Sequence, residues 1–285
     1  MLTIDSHQHF WNLQRLRYPW LSPDLAPLYR NFEPPDLAPQ LQACGVSATI
    51  VVQATHDRAE TDWLLELARA TPFIKGVVAW LDLGAPDLDE QLDACTAQGP
   101  LCGVRHQVHD EPDPEWLLRP EIVRGLQTLA RRQIAYDLLV RPTHLPLLPR
   151  LFDLVPDGRW VIDHLAKPPI ARGVLEPWAR DLGRVAQHPQ VCCKLSGMIT
   201  EAEHARWTID DLRPYVERAI ELFGPERLLF GSDWPVCLLA GGYERVHAAL
   251  AALIGGLSPH EQAAIWGGAA RRIYQLEITD ATTAQ

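Results

Sequence analysis

Short runs of β-branched and apolar residues recur along the chain, most of them followed by a stretch whose apolar positions repeat at helical spacing. The runs predict strands over Leu2–Ser6, Ala48–Gln53, Lys75–Trp80, Cys102–Gln107, Ile134–Val140, Trp160–Asp163, Val191–Leu195 and Leu228–Gly231. The helical spacing predicts helices over Asp62–Ala70, Leu88–Ala97, Glu115–Arg132, Leu145–Leu154, Trp178–Gln187 and Ile209–Phe223. The last of these sets Leu212, Val216, Ile220 and Phe223 on one face and is stopped by Gly224-Pro225. Ser258-Pro259-His260-Glu261 has the form of a capping box and predicts a final helix running toward Tyr274.

Eight strands with interposed helices favour parallel pairing through right-handed crossovers. At this length the economical solution is an α/β fold of the closed (β/α)8 kind, a TIM barrel, in one domain over residues 1–285. An open doubly wound sheet is the alternative, but no Gly-x-Gly-x-x-Gly follows an early strand. Trp11–Asp36, rich in proline and aromatics, reads as a long loop after strand 1 that covers the C-terminal face of the barrel. Pro112–Pro114 and the stretch from Lys167-Pro168-Pro169 read as further loops on that face, and Thr279–Gln285 as a frayed polar tail.

The formal net charge of -10 argues against nucleic acid or an anionic membrane as partner. Six cysteines form no C-x-x-C pair and no disulfide framework, which suits a reducing compartment. Neither a signal segment nor a long apolar run appears, so the expectation is a soluble cytoplasmic protein that acts on a small molecule.

The chemistry gathers where strands end. His7 and His9, two apart on strand 1, aim their rings to one side, which suits a metal ion or a polarised oxygen. Strand 4 ends in Gly103-Val104-Arg105-His106, strand 6 in Asp163-His164, strand 7 in Lys194-Leu195-Ser196-Gly197 and strand 8 in Gly231-Ser232-Asp233-Trp234-Pro235. Each alone has a structural reading: His164 as a rim histidine, Asp233 as a turn cap. Their gathering at one end of different strands favours a site.

Together with Ile4-Asp5-Ser6-His7-Gln8-His9-Phe10-Trp11 and Val161-Ile162-Asp163-His164, these segments resemble the amidohydrolase superfamily. Within it they are most similar to the sugar-lactonase branch that includes L-fuconolactonase and L-rhamnonolactonase. The resemblance spans nearly the whole chain. It implies a barrel that hydrolyses an intramolecular ester of a sugar acid, an aldonolactone such as L-fuconolactone or L-rhamnonolactone, using His7, His9, His164 and Asp233. In that chemistry Asp233 serves as general base, and the histidines polarise the carbonyl directly or through a metal. The same four residues, His7, His9, His164 and Asp233, form a donor set for one divalent ion, zinc foremost. Binuclear members bridge two metals through a strand-4 lysine, and Arg105-His106 stands here instead, so at most one ion is expected. Members of the branch differ in their need for metal, so a zinc site does not by itself imply dependence on zinc. Substrate contacts are expected from Arg105, His106 and Lys194, with Trp11, Trp80 and Trp234 stacking on the sugar. Two other enzyme readings stand beside this one: a metal-dependent decarboxylase of an aromatic acid, and a pyrone-dicarboxylate-type lactonase served by Arg105, Arg141 and Arg172. A barrel used only as a binding scaffold has little reason to gather three histidines and an aspartate at one rim.

Overall fold

The computed structural model describes residues 2–278. Eight strands pair in chain order and all in parallel: β1 Ile4–Gln8, β2 Ala48–Val52, β3 Ile74–Ala79, β4 Leu101–His106, β5 Ala135–Leu138, β6 Arg159–Ile162, β7 Val191–Leu195 and β8 Leu228–Phe230. A parallel bridge from Gln8 to Trp234 and a bond from Ser6 Oγ to Phe230 O (2.6 Å) draw β8 back to β1. The sheet thus becomes the expected (β/α)8 barrel. Asp5 fastens this seam at its top. Its carboxylate accepts from the Ser232 amide (2.9 Å), the Ser232 hydroxyl (2.6 Å) and the His7 amide (3.1 Å).

Helices lie between the strands, on the outside: α1 Pro34–Cys44, α2 Arg58–Ala70, α3 Leu88–Gln98, α4 Pro120–Arg131, α5 Leu148–Leu154, α6 Trp178–Ala186, α7 Met198–Glu201, α8 Ile209–Phe223, α9 Tyr243–Ile254, α10 Pro259–Ala263 and α11 Ala269–Ile273. Two expected helices are shorter than their periodicity suggests. The Glu115–Arg132 pattern splits into a 3-10 turn and α4, because Pro120 lacks the N–H a continuous helix needs there but suits a first helical position. The Leu145–Leu154 pattern likewise resolves into a 3-10 segment, Pro142–Leu147, and α5. The loop expected to reach Asp36 ends three residues earlier, at Glu33, because Pro34 opens α1, and α9 is a helix outside the expected set. The Ser258 capping box is present, with Ser258 N donating to Glu261 Oε2 at 2.8 Å. The expected tail Thr279–Gln285 lies outside the described residues. Among the described residues no helix is long and apolar enough to cross a membrane.

Inside the barrel, side chains stack in layers. Ile4, Ala48, Ile50, Val78, Ala135, Val161, Cys192 and Leu229 make an apolar floor, completed from below by Ala269, Ala270, Tyr274 and Leu276. Two residues further along their strands come Asp137, Asp163 and Lys194, with Arg105 two beyond Gly103. The strand period of two therefore sets a charged layer directly on the apolar one. The loop after β1 folds over the top, pinned by an antiparallel bridge between Trp11 and Phe32 and by Trp20 Nε1 donating to Ala54 O (2.7 Å).

The turn that Trp20 leans on is held by a buried carboxyl. Glu60 Oε2 accepts from the amides of Ala54 (2.9 Å) and Thr55 (3.0 Å). Burial outweighs those bonds and pushes the Glu60 pKa up from 4.5 to about 8. A carboxyl raised by folding contributes stability that is complete below its ordinary pKa and is lost as pH rises through the folded value. Glu60→Gln, which cannot ionise, should therefore flatten the fall of Tm between roughly pH 5 and 9. Thermal melts across that range check it, and parallel curves for parent and variant would refute it.

Candidate active site

The two β1 histidines meet at the mouth of the barrel, with Nε2 of His7 and Nε2 of His9 3.2 Å apart. His164 joins them, its ring centroid 4.4 Å from that of His7. Asp233 completes the group: its Oδ1 stands 3.8 Å from His7 Nε2, 3.4 Å from His9 Nε2 and 3.9 Å from His164 Nε2. Three imidazole nitrogens thus converge on one carboxylate oxygen.

Each ring is oriented by a partner on its far nitrogen. His9 Nδ1 donates to Val52 O (2.7 Å) and His164 Nδ1 meets Ser196 Oγ (2.9 Å). His7 Nδ1 lies 3.2 Å from Asp163 Oδ1. Burial pulls the pKa of His7 and of His164 well below the ordinary histidine value, so both rings are neutral at working pH. Burial would raise Asp233, but His164 and the His9 hydrogen bond outweigh it and hold the carboxyl below its usual range, ionised. Burial likewise opposes the charge on Asp163, and Lys194 and His7 overcome it, keeping that carboxyl well below its usual range.

Backbone geometry delivers these groups at a cost. His164, Leu165, Ala166 and Lys167 are four consecutive left-handed residues (φ 52, 54, 58 and 55°), and Asp233 is a fifth (φ 56°). Such conformations cost about 1–2 kcal/mol per non-glycine residue and persist where the surroundings enforce them. The turn brings His164 and Lys167 to the same cavity wall. Two glycines let the strands close on the histidines. A Cβ on Gly231 would lie 2.7 Å from His7 Cβ, and one on Gly197, itself left-handed, 2.5 Å from His164 Nδ1.

His9, His164 and Asp233 line a cavity of about 180 Å³, and His7 lies fully buried behind them. Trp20, Leu139 and Val236 make one apolar side; Arg105, His109, Asp110 and Lys167 supply a polar side of mixed charge. A larger cleft of about 710 Å³ opens on the opposite face, around Arg131, Asp157 and Arg159. It contains no histidine and a single carboxylate, so the smaller cavity is the chemical one.

Of the substrate contacts expected from sequence, only Arg105 lines this cavity. Lys194 is fully buried in the charged layer beneath His7. Trp11 is also fully buried, donating to Arg30 O (2.8 Å) and packing on Trp20 and Phe32, so it anchors the covering loop. Trp234 is 3% exposed and packs edge-on to Phe10 and Phe32. His106 is stacked between His56 and Trp116, bonded through Nε2 to Glu111 (2.7 Å), and it accepts the Trp80 indole N–H (3.2 Å). Trp80 and His106 therefore build the cavity's surroundings rather than its wall. The aromatic wall residue is Trp20, which the covering loop supplies and which no local pattern marked. Arg141 and Arg172, invoked for a dicarboxylate substrate, are exposed and line no part of the cavity.

His7, His164 and Asp233 form a donor set that fits one metal ion, with His9 Nε2 beside it at 3.2 Å from His7 Nε2 and 3.4 Å from Asp233 Oδ1. Four ligands at about 2.0–2.1 Å in a tetrahedron are about 3.3 Å from one another, close to the 3.2, 3.4, 3.8 and 3.9 Å separations found. The outer nitrogens of His9 and His164 carry the second ring of bonds common to metal-binding histidines, to Val52 O and Ser196 Oγ, and that of His7 lies between Asp163 Oδ1 and the Lys194 ammonium. A further donor trio, His7, Asp137 and Asp163, is already filled by the Lys194 ammonium.

The chain matches the family model described as Amidohydrolase over residues 4–276. It is 40% identical over 287 residues to an L-fucono-1,5-lactonase of Burkholderia multivorans, covering 96% of this chain and 96% of that protein. An L-fucono-1,5-lactonase of Burkholderia ambifaria is 38% identical over 281 residues, with 96% of each chain covered. A crystal structure of an amidohydrolase from Burkholderia multivorans with bound zinc superimposes with a TM-score of 0.91 at 38% identity, covering 97% of this chain and 100% of that one.

Proposed function

This chain belongs to the amidohydrolase family, and from that premise we propose that Asp233, His7, His9 and His164 hydrolyse a sugar-acid lactone at the base of the barrel-mouth cavity. The enzyme is a lactone hydrolase, and L-fucono-1,5-lactone, the substrate in the names of both Burkholderia relatives, is the first compound to offer it. The observation that carries the assignment of residues is the convergence of three imidazoles on one ionised carboxylate beneath a cavity of balanced charge. A neutral polyol ring with apolar patches suits such walls better than a dicarboxylate, for which a single lining guanidinium and one ammonium face two carboxylates.

His7, His9, His164 and Asp233 are the residues that would hold a zinc ion, which when bound supplies Lewis-acid polarisation of the lactone carbonyl. The chain's own residues account for the proton path. Asp233 presents Oδ1 to the histidines, leaving Oδ2 to take a proton from water as the water oxygen bonds to the carbonyl carbon. The carbonyl π electrons move to oxygen, where the Arg105 guanidinium, 3.2 Å from His7 Nε2, stabilises the new negative charge. Collapse of that intermediate breaks the bond to the ring oxygen, which leaves with the proton held by Asp233. One water is added, and an open hydroxy acid results.

Turnover of an aldonolactone panel, followed with a pH indicator and corrected for spontaneous opening, tests the reading. L-fucono-1,5-lactone should be opened well above background, and a panel in which every member stays at background would overturn it. Elemental analysis should find no more than one zinc per chain; two, restored together with activity after chelation, would refute the single site.

A further inference from the structure

Beneath His7 the barrel encloses ionised groups of which only Arg105 reaches the cavity. Asp137, Asp163 and Lys194 are fully buried, and Arg105 is 2% exposed. Lys194 Nζ hydrogen-bonds Asp137 Oδ2 and stands 2.9 Å from Asp163 Oδ1 and 3.1 Å from His7 Nδ1. Asp163 Oδ2 accepts from Arg105 NH1 at 2.9 Å. From the floor, the Tyr274 hydroxyl reaches both oxygens of Asp137 at 2.8 Å. Two carboxylates and two cations balance. Buried ion sets of this kind seldom add stability over apolar side chains of the same shape, so their presence asks for another use.

We propose that Lys194 is a positioning residue for His7: held by Asp137 and Tyr274, its ammonium pins Asp163 where the carboxylate takes the His7 Nδ1 proton and turns the Nε2 lone pair into the site. The ring has one proton and two places for it. On Nδ1, the proton is 3.2 Å from an ionised carboxylate oxygen, and the bare Nε2 faces an Arg105 N–H at 3.2 Å. On Nε2, it would point at that same guanidinium and leave the carboxylate facing a bare nitrogen, with the Lys194 ammonium, 3.1 Å from Nδ1, the one partner that this form would suit. Asp163 therefore selects the first form, but only while it stays in place. Without the ammonium between them, Asp137 and Asp163 would repel each other across an interior that screens charge poorly. The chain of contacts thus runs from Tyr274 through Asp137, Lys194 and Asp163 to His7, and it rests on the function proposed above in treating His7 Nε2 as a working group.

The experiment uses full-length Lys194→Met and Tyr274→Phe proteins, with three readouts: zinc affinity by chelator competition, nitrogen NMR of the His7 ring in metal-free protein, and kcat and KM for lactone opening. In the parent the NMR should show the proton on Nδ1. Lys194→Met should lose about 10- to 100-fold in zinc affinity, mix the two ring forms, and lower kcat with little change in KM. Tyr274→Phe, which keeps the ring and removes one oxygen, should move the same quantities less. A parent ring protonated on Nε2, or a folded Lys194→Met with parental zinc affinity and ring spectrum, would overturn the proposal. If Lys194→Met fails to fold, Tyr274→Phe decides, and unchanged affinity and spectrum there overturn it equally. A parent that opens no lactone would sink the function instead, while affinity and spectrum still read the positioning.

Discussion

Asp233→Asn should lower kcat by about 10²- to 10⁴-fold, the usual cost of losing a positioned general base. The amide keeps the size of the carboxylate, and its oxygen can still face the three histidines. It cannot take a proton from water. KM should change little, because the cavity walls that hold the sugar, from Trp20 to Lys167, are left intact. Lactones open spontaneously, faster as pH rises, so that rate must be subtracted before variant and parent are compared. In the parent, the carboxyl is held below its usual range by His164 and the His9 hydrogen bond, so protonation of Asp233 should limit the rate only at more acidic pH than for an ordinary aspartate. An Asn variant that retained parental kcat after correction would move the base elsewhere, with His164 first in line.

Gly231→Ala should be nearly as damaging, although a single methyl is added. The new Cβ would lie 2.7 Å from His7 Cβ and 2.9 Å from Ser196 Cβ, both buried and closely packed. Overpacking of this kind costs about 1–3 kcal/mol. Relief comes most readily by displacing His7, and a misplacement of about 1 Å at a reacting group can lower the rate about 10²-fold. The expected result is a Tm lower by several degrees together with a much larger fractional loss of kcat. Parental turnover in the Ala variant would show that β1 and β8 can separate without disturbing the site.

How far the sequence alone leads differs between the fold and the cavity. All eight strands are legible because each is a compact apolar run, fully enclosed by helices on one side and barrel on the other. The convergence of His7, His9, His164 and Asp233 is legible for a related reason, since strand ends of a barrel open onto one mouth. Elements shaped by proline were misjudged: Pro34 begins a helix inside an expected loop, and Pro120 interrupts an expected helix. Trp11, Trp80 and Trp234 stand outside the cavity lining for a physical reason. Trp11 shares the parity of His7 and His9 but lies beyond the end of β1, where the bridge to Phe32 draws it under the covering loop, and Trp234 follows the left-handed Asp233, so both pack on Phe32 instead of facing the mouth. Trp20 reaches the cavity only because that loop folds back over it, a long-range outcome that no local pattern records. Lys194 looked like a substrate contact from its strand-end position, yet it lies one layer too deep. Asp137 drew no attention, although its place two residues beyond Ala135 marks it as interior once the barrel is granted.

The fastening of β1 to β8 also bears on the order in which the molecule can be made. His7 leaves the ribosome long before the groups that hold it: Ser232, bonded to Asp5 across 227 positions, and Tyr274, bonded to Asp137 across 137. Contacts so distant along the chain are slow to form, and at a synthesis rate of about 5–20 residues per second β1 waits ten seconds or more for its partner edge. During that interval β1 lacks one neighbour, and the carboxylates destined for the charged layer stay in water. The cluster of His7, His9, His164 and Asp233 is therefore among the last parts of the molecule to come into being, and a nascent chain stalled before residue 228 has both strand-1 histidines and no barrel to hold them.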